Sequence, residues 1–454
     1  MRKSFFVLSF LLTSGLLMAQ KEDSVFIRAI SDDILNNGKA YEYLRQLTKQ
    51  VGGRVSGSPN MVKAENWGLK TMQDIGADKA WLQECMVPHW VRAGKDVVKA
   101  MARGGSRDLD ALALGNSEGT GGKYLTAPVM MVGSFEELEK RKEEAKGKIV
   151  FFNYKFRNEL VQTFQAYSDA VKYRGGAANA GSKNGAVGVL VRSMTHAVGN
   201  NPHTGAMRYD SAIQKIPAIA IGIEDADWMS QEISKGTITV SLSSNAHMLR
   251  DTIGHNVIAE LTGSEFPNEV ITIGGHLDSW DPGEGAHDDG AGCVQSLEIL
   301  RVFRALGYKP KHTIRIVLFA NEENGGRGGD KYAEVAQAKG EKHIFALESD
   351  AGGFTPRGFG LTAPDDKFAK FMSWQPLIAP YGASDFRKGG GGSDISPLGK
   401  TFATPLAGLS PDSQRYFDIH HARSDVFENV NKRELLLGAV NMAALVYLVD
   451  KYGM

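Results

Sequence analysis

The sequence predicts an α/β fold with a mostly parallel or mixed central sheet, helices on both faces, and an inserted α+β or β module. After about residue 251, near-continuous apolar strands alternate with helices, which is typical of parallel sheets covered on both faces. From about residue 96 to 250, short β-type runs are separated by Gly-rich loops and charged helical segments. We therefore divide the chain into a main module, residues 20–95 and 251–454, and an inserted module, residues 96–250.

Length and charge narrow the class of protein. The chain has 454 residues, enough for two or three domains with a large core, and it is 42% hydrophobic and 23% charged. Lys plus Arg equals Asp plus Glu at 52 each, so the formal net charge is zero. This balance gives no electrostatic reason to expect nucleic acid or an anionic membrane as a partner.

The first 19 residues are typical of a secretory signal peptide. Arg2 and Lys3 precede an apolar stretch from Phe5 to Met18, which is short for a membrane span. We predict cleavage after Ala19, export to the periplasm or the medium, and no membrane association afterwards. Export permits disulfides, but Cys85 and Cys293 occur in unrelated contexts, so we predict two free, buried thiols.

The first elements are helical, and the inserted module then brings short strands. Asp23 to Val51 predicts two amphipathic helices broken near residues 36–38, and VGGRVSGSPN predicts a loop. MVKAENWGLKTMQDIG has apolar residues at helical spacing and ends at Gly76, a suitable C-cap. Within residues 96–250, the predicted strands are APVMMVG, GKIVFFN, AVGVLVR, IPAIAIG and TITVSLS.

The last 200 residues, roughly, follow a strand–helix–strand order. EVITIGGH, HTIRIVLFA and HIFALESD predict buried strands, and TFATPLAGL predicts a further one. GAGCVQSLEILRVFRALG has the apolar stripe of a helix, and KRELLLGAVNMAALVYLVDKYG predicts a long final helix.

Polar clusters follow the predicted strands at their carboxyl ends, where α/β sheets bind ligands. The stretch GGHLDSWDPGEGAHDDGAG, residues 274–292, crowds two histidines and several carboxylates after one strand. A divalent cation would turn this crowding of like charges into coordination. The polar residues at these ends and before the last helix are His276, Asp278, Glu322, Glu323, Asp350, His420, His421 and Asp425.

Histidine and carboxylate ligands without cysteine suit zinc or a similar ion in a catalytic site. Five ligands that include one bridging carboxylate would hold two ions, and a neighbouring non-ligand carboxylate would act as general base. The adjacent Glu322 and Glu323 supply one of each, and Asp278 is placed to orient His276. Taken singly, each residue has a simpler interpretation, such as a loop histidine, a solvent-facing acid or a helix cap.

The motifs GGHLDSWDPGEGAHDDGAG, FANEENGGRGG, ESDAGGF and HHARSDVFENV together resemble the secreted co-catalytic zinc aminopeptidase and carboxypeptidase family. The HLDSWD and GGSDIS segments are similar to those of a carboxypeptidase branch. The resemblance implies the zinc exopeptidase fold and two zinc ions. It implies that His276 and Asp350 hold one ion, Glu323 and His421 hold the other, Asp288 bridges both, and Glu322 takes a proton from water.

The same resemblance implies further roles. His421 is preferred over His420 as the ligand because its offset of four to Asp425 matches the family spacing. His420 occupies the place of a tyrosine that steadies the oxyanion in several relatives, and Asp394 is implied to recognise a substrate amino group. Residues 96–250 resemble a protease-associated domain. Relatives of the branch tend to be homodimers, and the sequence leaves the oligomeric state open.

The function predicted from the sequence is an exported dinuclear zinc exopeptidase for dipeptides or short peptides with a free N-terminus. A non-catalytic binding ectodomain on the same scaffold and a glutaminyl cyclase are the alternatives. The sequence leaves the side-chain preference open, together with the choice between aminopeptidase and dipeptidase. A residue that binds a terminal carboxylate stays open among Arg387, Arg415 and Arg423.

Overall fold

The computed structural model describes the backbone from Ser4 to Met454 and the side chains of residues 21–454. The predicted signal peptide, residues 1–19, has its side chains outside the described residues, and its cleavage stays a prediction. In chain order the strands are β1 (Lys79–Val87), β2 (Trp90–Val91), β3 (Val97–Ala102), β4 (Gly105–Leu109), β5 (Ala111–Ala113), β6 (Leu125–Val132), β7 (Ile149–Phe152), β8 (Gly188–Arg192), β9 (Ala218–Ile221), β10 (Thr239–Ser243), β11 (His247–Met248), β12 (Thr252–Leu261), β13 (Phe266–His276), β14 (His312–Phe319), β15 (Lys342–Glu348), β16 (Pro356–Thr362), β17 (Asp385–Lys388) and β18 (Leu406–Pro411).

The helices begin and end at residues suited to those positions. Ser58 caps one of them by accepting a hydrogen bond from the Met61 N–H, and Gly76 ends it in the left-handed conformation. The helices are α1 (Ser4–Asn37), α2 (Ala40–Gln46), α3 (Pro59–Ile75), α4 (Phe135–Lys140), α5 (Lys142–Ala145), α6 (Thr163–Lys183), α7 (Ile223–Lys235), α8 (Ala291–Ala305), α9 (Arg327–Ala338), α10 (Asp365–Ser373), α11 (Gln375–Ile378), α12 (Ser396–Phe402), α13 (Tyr416–Ile419) and α14 (Lys432–Tyr452).

The main sheet has the order β1-β12-β14-β13-β15-β18-β16-β17 in the described chain. The four central strands β14, β13, β15 and β18 are mutually parallel, and β12 and β16 pair antiparallel on either side of them. This confirms the predicted mixed α/β sheet. Strands β13 and β14 are buried along almost their whole central length, as their unbroken apolar sequence requires.

Helices cover both faces of the main sheet. On one face, α1, α2, α3, α8 and α14 enclose the largest core, which includes Ile271, Ile316 and Leu347 from the central strands. On the other face, α9 and α12 cover Ile258 and Val317. In the described part of the chain, only α14 is long and apolar enough to cross a membrane, and it is largely buried in this core.

A second sheet, with the order β4-β3-β10-β6-β7-β8-β9-β5, is built from residues 97–243. Helices α4, α5 and α6 cover one of its faces, and α7 covers the other. The sheet lies within the range predicted for the inserted module, and we call residues 96–250 the second module. Trp90 and Trp280 pack edge to face, with ring centroids 5.9 Å apart, where the two modules meet.

Some predicted elements differ from the observed ones. Within TFATPLAGL, residues 401–402 end α12 and only residues 406–409 belong to β18, because the helix continues to a left-handed Ala403. The predicted break near residues 36–38 separates α1 from α2. Cys85 and Cys293 are both buried and unbonded within the described residues, as predicted.

Candidate metal centre

Side chains from neighbouring parallel strands meet at one edge of the main sheet. β13 ends at His276, and Asp350 follows two residues after the end of β15. β14 ends at Phe319, and a tight turn then carries Glu322 and Glu323. Because β14, β13 and β15 lie side by side and run in one direction, their carboxyl ends bring these groups together.

Asp288 lies at the centre of this group, with one carboxylate oxygen facing each of two imidazoles. Its Oδ1 is 3.2 Å from His276 Nε2, and its Oδ2 is 3.2 Å from His421 Nε2. His276 Nε2 is also 3.5 Å from Asp350 Oδ1, and His421 Nε2 is 3.0 Å from Glu323 Oε2. The five predicted ligands therefore converge, and one carboxylate is shared between two sets.

The chemistry of these groups suits a divalent cation. Asp288 Oδ2 and Glu323 Oε1 are buried and accept no hydrogen bond of ordinary geometry from residues 21–454. Burial raises the pKa of Glu323 to about 8 and that of Asp350 to about 6, because a desolvated carboxylate favours its neutral form. A bound cation would stabilise both groups as anions, so this donor set fits a metal ion.

Asp278 holds the turn that carries the two glutamates. Its carboxylate accepts hydrogen bonds from the backbone N–H groups of Glu322 (3.0 Å) and Glu323 (3.3 Å) and from the Ser56 hydroxyl (3.1 Å). His276 Nδ1 instead faces the Asp278 main-chain carbonyl at 2.9 Å, and the carboxylate Oδ1 is 3.7 Å away. We predicted that the Asp278 carboxylate orients His276. The main-chain carbonyl of Asp278 does so instead, because three donors already occupy the carboxylate.

Arg54 holds the acidic stretch that follows β13. Its guanidinium is fully buried and donates to the backbone carbonyls of Leu277, Glu284 and Gly285. A buried arginine is stabilised when several oxygens accept its N–H groups. The positive charge also lies near Asp278 and Asp289, so it offsets part of the negative charge that the acidic stretch brings together.

Two further buried carboxylates fix the backbone around the shared aspartate. Asp289 Oδ2 accepts a hydrogen bond from the His276 N–H at 3.1 Å. Asp425 accepts hydrogen bonds from the N–H groups of His287 (2.7 Å) and Asp288 (3.1 Å). Burial raises the pKa of Asp425 to about 7 against the effect of these hydrogen bonds. Together these contacts hold Asp288 where its two oxygens face different imidazoles.

The second module contacts His421 at its Nδ1, whereas Asp288 faces its Nε2. The His421 carbonyl accepts a hydrogen bond from the Thr204 N–H at 3.0 Å, and His421 Nδ1 lies 3.3 Å from the Thr204 carbonyl. Arg174 Nη1 is 3.2 Å from the same nitrogen. Gly205 has φ +126°, and a Cβ there would lie 2.5 Å from His421 Nδ1. Only glycine permits this close approach.

His420 stacks on His421, with ring centroids 3.5 Å apart, and its Nε2 lies 3.6 Å from Asp288 Oδ2. Burial, reinforced by the charge of His421, lowers the pKa of His420 well below its usual value, so the ring is neutral. Both histidines of the doublet therefore face Asp288, and His421 is the one that also contacts Glu323.

Asp394 lies in the loop before α12, beside Glu348 at the end of β15. The Ile395 N–H donates to Glu348 Oε2 at 3.0 Å, and a Cβ on Gly392 would lie 1.9 Å from Glu348 Oε1. Neither oxygen of Asp394 has a hydrogen-bond partner among the described residues. Burial, followed by the charge of Glu348, raises the pKa of Asp394 well above its usual value.

The arginines that the sequence left open for carboxylate binding are all exposed. Arg423 donates two hydrogen bonds of 2.8 Å to Asp110, and Arg387 donates one of 3.1 Å to Ser410. Arg415 lies over the ring of Phe354. These contacts direct the three side chains to other groups.

Sequence reasoning missed several residues around the centre. Glu348 was detectable, because it precedes Asp350 by two residues at a strand end. Arg174 and Thr204 carried no such signal, and Arg54 lies in the predicted loop VGGRVSGSPN, where no site role was assigned to it. Their proximity to the site depends on long-range packing.

Comparison with known proteins places the chain in a family. The model described as Peptidase family M28 matches residues 256–446, which contain the five converging residues. Carboxypeptidase Q from Mus musculus is 36% identical over 412 residues, covering 90% of this chain and 85% of the relative. Carboxypeptidase Q from Homo sapiens is also 36% identical with the same coverage of both chains, 90% and 85%.

Solved structures agree with this placement. A peptidase M28 precursor from Shewanella amazonensis SB2B matches with a TM-score of 0.90 and 30% identity, covering 95% of this chain and 97% of that chain. BSAP, a zinc aminopeptidase from Bacillus subtilis, shares the fold with a TM-score of 0.64 at 20% identity, covering 90% and 94% of the two chains. The identity, the coverage and the matched motifs show that this chain is a metallopeptidase of peptidase family M28, similar to carboxypeptidase Q.

Proposed function

We propose that the protein is an exported dinuclear zinc exopeptidase that hydrolyses dipeptides or short peptides with a free N-terminus. One observation carries the proposal: each oxygen of Asp288 faces a separate imidazole, and each imidazole has its own second carboxylate. A bridging carboxylate between two such sets is the arrangement that co-catalytic metal pairs use. The zinc of BSAP, a structural neighbour, agrees with the choice of ion.

His276, Asp350 and Asp288 would hold one zinc ion, and His421, Glu323 and Asp288 would hold the other. Bound zinc would polarise the scissile carbonyl and lower the pKa of water at the site. The protein fixes the ligands beforehand, through the Asp278 carbonyl on His276 and the Thr204 carbonyl on His421.

Glu322 is the general base of this proposal. It is half-buried, and its backbone N–H is held by Asp278 Oδ1 at 3.0 Å. It lies one residue before Glu323, a proposed ligand, on the same turn after β14. Glu322 would remove a proton from the attacking water and then pass it to the nitrogen of the leaving amine.

Three residues are proposed to contact the substrate. Asp394 and the adjacent Glu348 have buried oxygens without hydrogen-bond partners in the described chain, and a substrate ammonium group would supply the missing donors. His420 is neutral and would donate its N–H to the oxyanion of the tetrahedral intermediate. We expect His420→Tyr to retain most of the activity and His420→Phe to lose about 100-fold in kcat, because the phenyl ring has no donor.

The replacement Glu322→Gln tests the mechanism. The variant keeps the shape of the side chain but cannot accept the proton, so we expect two bound zinc ions per chain and a loss of at least about 1000-fold in kcat on a dipeptide. Metal content by plasma mass spectrometry and hydrolysis by amine detection are the measurements. Full activity would remove Glu322 as the base.

Further outcomes separate the alternatives. Absence of bound zinc and of hydrolysis would favour a binding ectodomain, and ring closure on a Gln-initiated peptide would favour a glutaminyl cyclase. Comparing dipeptides with tripeptides and N-blocked analogues defines the substrate class. Export is tested separately, because the mature protein should begin at Gln20 in mass spectra of the periplasmic or secreted fraction.

A further inference from the structure

Arg174 is buried beside the metal-centre residues without an acidic partner. The residue is 7% exposed, and it forms no ion pair with an aspartate or glutamate among residues 21–454. Its Nη2 donates to the Tyr167 hydroxyl at 2.6 Å, whereas its Nε has no hydrogen-bond partner within the same residues. A desolvated guanidinium is costly unless an anion or several acceptors satisfy it, so Arg174 has unused capacity for an anion.

The contact between Arg174 and His421 does not use that capacity. Nη1 lies 3.2 Å from His421 Nδ1, but this nitrogen also faces the Thr204 carbonyl at 3.3 Å. With its Nε2 on the proposed zinc ion, His421 would carry its proton on Nδ1, and the Thr204 carbonyl would accept that proton. A protonated Nδ1 accepts nothing, so the Nη1 donor of Arg174 would need a different acceptor.

Charge is distributed unevenly across the centre. On the His276 side, Asp394 and Glu348 carry buried oxygens without partners in the described chain. On the His421 side, Arg174 lies among the imidazoles of His203, His420 and His421, and both ring nitrogens of His203 also lack partners there. A dipeptide is a zwitterion with an ammonium group at one end and a carboxylate at the other, and its charges match this distribution.

We propose that Arg174 binds the terminal carboxylate of the substrate and is therefore the residue that selects for a free C-terminus. The inference rests on the proposed peptidase function and deepens it. Guanidinium and carboxylate groups form paired, charge-assisted hydrogen bonds, a geometry that lysine does not reproduce. Because Arg174 belongs to the second module, that module would set substrate length as well as contact His421.

The test compares two substrates that differ only at the carboxylate: alanyl-alanine and its C-terminal amide. In Arg174→Met, we expect kcat/KM to fall at least about 30-fold for the free dipeptide and less than about 3-fold for the amide, because only the dipeptide loses a charge-assisted contact. Arg174→Lys keeps the positive charge, so its kcat/KM for the free dipeptide should lie between those of Arg174→Met and the wild type. Arg192→Met is the matched control, since Arg192 is equally buried in the second module but pairs with Asp227 at 2.7 Å.

Zinc content and thermal unfolding verify that each variant is folded and loaded. Calorimetry on the Glu322→Gln variant measures binding independently of turnover. Adding Arg174→Met to that variant should weaken the binding of the dipeptide and leave the binding of the amide unchanged. Equal losses on both substrates would overturn the proposal and assign Arg174 to positioning His421. No loss on either would overturn it as well. If the wild-type enzyme cleaves the dipeptide and its amide equally well, only the carboxylate role of Arg174 is contradicted. If it cleaves neither substrate, the proposed peptidase function is contradicted.

Discussion

At the scale of single residues, the centre depends on carboxylates whose repulsion is relieved by specific donors. Arg54 and several backbone N–H groups satisfy the acids that are not ligands, such as Asp289 and Asp425. Asp288, Glu323 and Asp350 keep oxygens directed at the imidazoles. Among these five acids, the two that receive backbone N–H donors are structural, and the three that face the imidazoles are the proposed ligands.

Asp278 gives a prediction at this scale. The N–H groups of Glu322 and Glu323 donate to different oxygens of Asp278. An asparagine has only one side-chain oxygen, so its NH2 group would oppose one of these two donors. We expect Asp278→Asn to lower kcat/KM by about 10- to 100-fold while zinc remains bound. Ser56→Ala removes one donor to the same carboxylate and should cost less than about 5-fold. An Asp278→Asn enzyme with wild-type kinetics would contradict this role.

At the scale of elements, a charged network away from the site joins three strands of the main sheet. Arg315 on β14 donates to Glu260 on β12 and to Glu341 just before β15, at distances from 2.6 to 3.1 Å. Burial opposes ionisation of Glu341, but hydrogen bonds from His343 and Arg315 outweigh it and lower its pKa to about 2. These bonds tie three strands together at the end of the sheet opposite to the catalytic rim.

This network predicts a pH-dependent stability. Because the pKa of Glu341 is lower in the folded state than its ordinary value of 4.5, its contribution is present above pH 4.5 and is lost as the pH falls towards 2. We expect Glu341→Gln to reduce the free energy of unfolding by about 2 kcal/mol at pH 7 and by clearly less at pH 3. Urea unfolding at pH 7 and pH 3 measures this free energy. Glu334→Gln, at an exposed position, should leave it unchanged at both pH values. An equal loss of stability in Glu341→Gln at pH 7 and pH 3 would contradict the prediction.

At the scale of the whole molecule, the two modules share one site. Arg423 pairs with Asp110 across the junction, Arg92 donates to the Ala113 carbonyl at 2.8 Å, and Thr204 contacts His421 directly. The exposed pair of Arg423 and Asp110 contributes little stability by itself. The contact on His421 matters more, because it reaches a residue of the metal centre.

Gly205 tests this contact. Alanine there would have to adopt φ +126° and would place its Cβ 2.5 Å from His421 Nδ1. We expect Gly205→Ala to displace the segment from His421 and lower kcat/KM by at least about 10-fold. Gly199→Ala is the control, since a Cβ there meets nothing within 4 Å. If Gly205→Ala matches wild type in kinetics, the second module does not support the site.

Metal removal gives a second prediction for the whole molecule. Burial raises the pKa of Glu323 to about 8, so the unfolded chain binds fewer protons between pH 4.5 and 8, and the stability of the zinc-free protein falls as the pH rises. Zinc competes with protons for the same oxygens. We expect chelation of zinc to lower the unfolding midpoint more at pH 8 than at pH 5.5, and scanning calorimetry measures this. A larger decrease at pH 5.5 would contradict the assignment of Glu323 as a metal ligand.

The sequence by itself determined the elements and the chemistry, because apolar periodicity and strand-end residues are local properties. The mixed sheet and the strand that ends at His276 follow from such patterns, and so does the gathering of histidines and carboxylates at one edge of the sheet. The role of Asp288 between two imidazoles was implied by the resemblance to a family instead. Only the tertiary structure decided which atoms meet. The Asp278 carbonyl rather than its carboxylate contacts His276, and Arg174 reaches His421 from 247 positions away. Contacts between distant segments depend on how two modules pack, and no local sequence pattern encodes that packing.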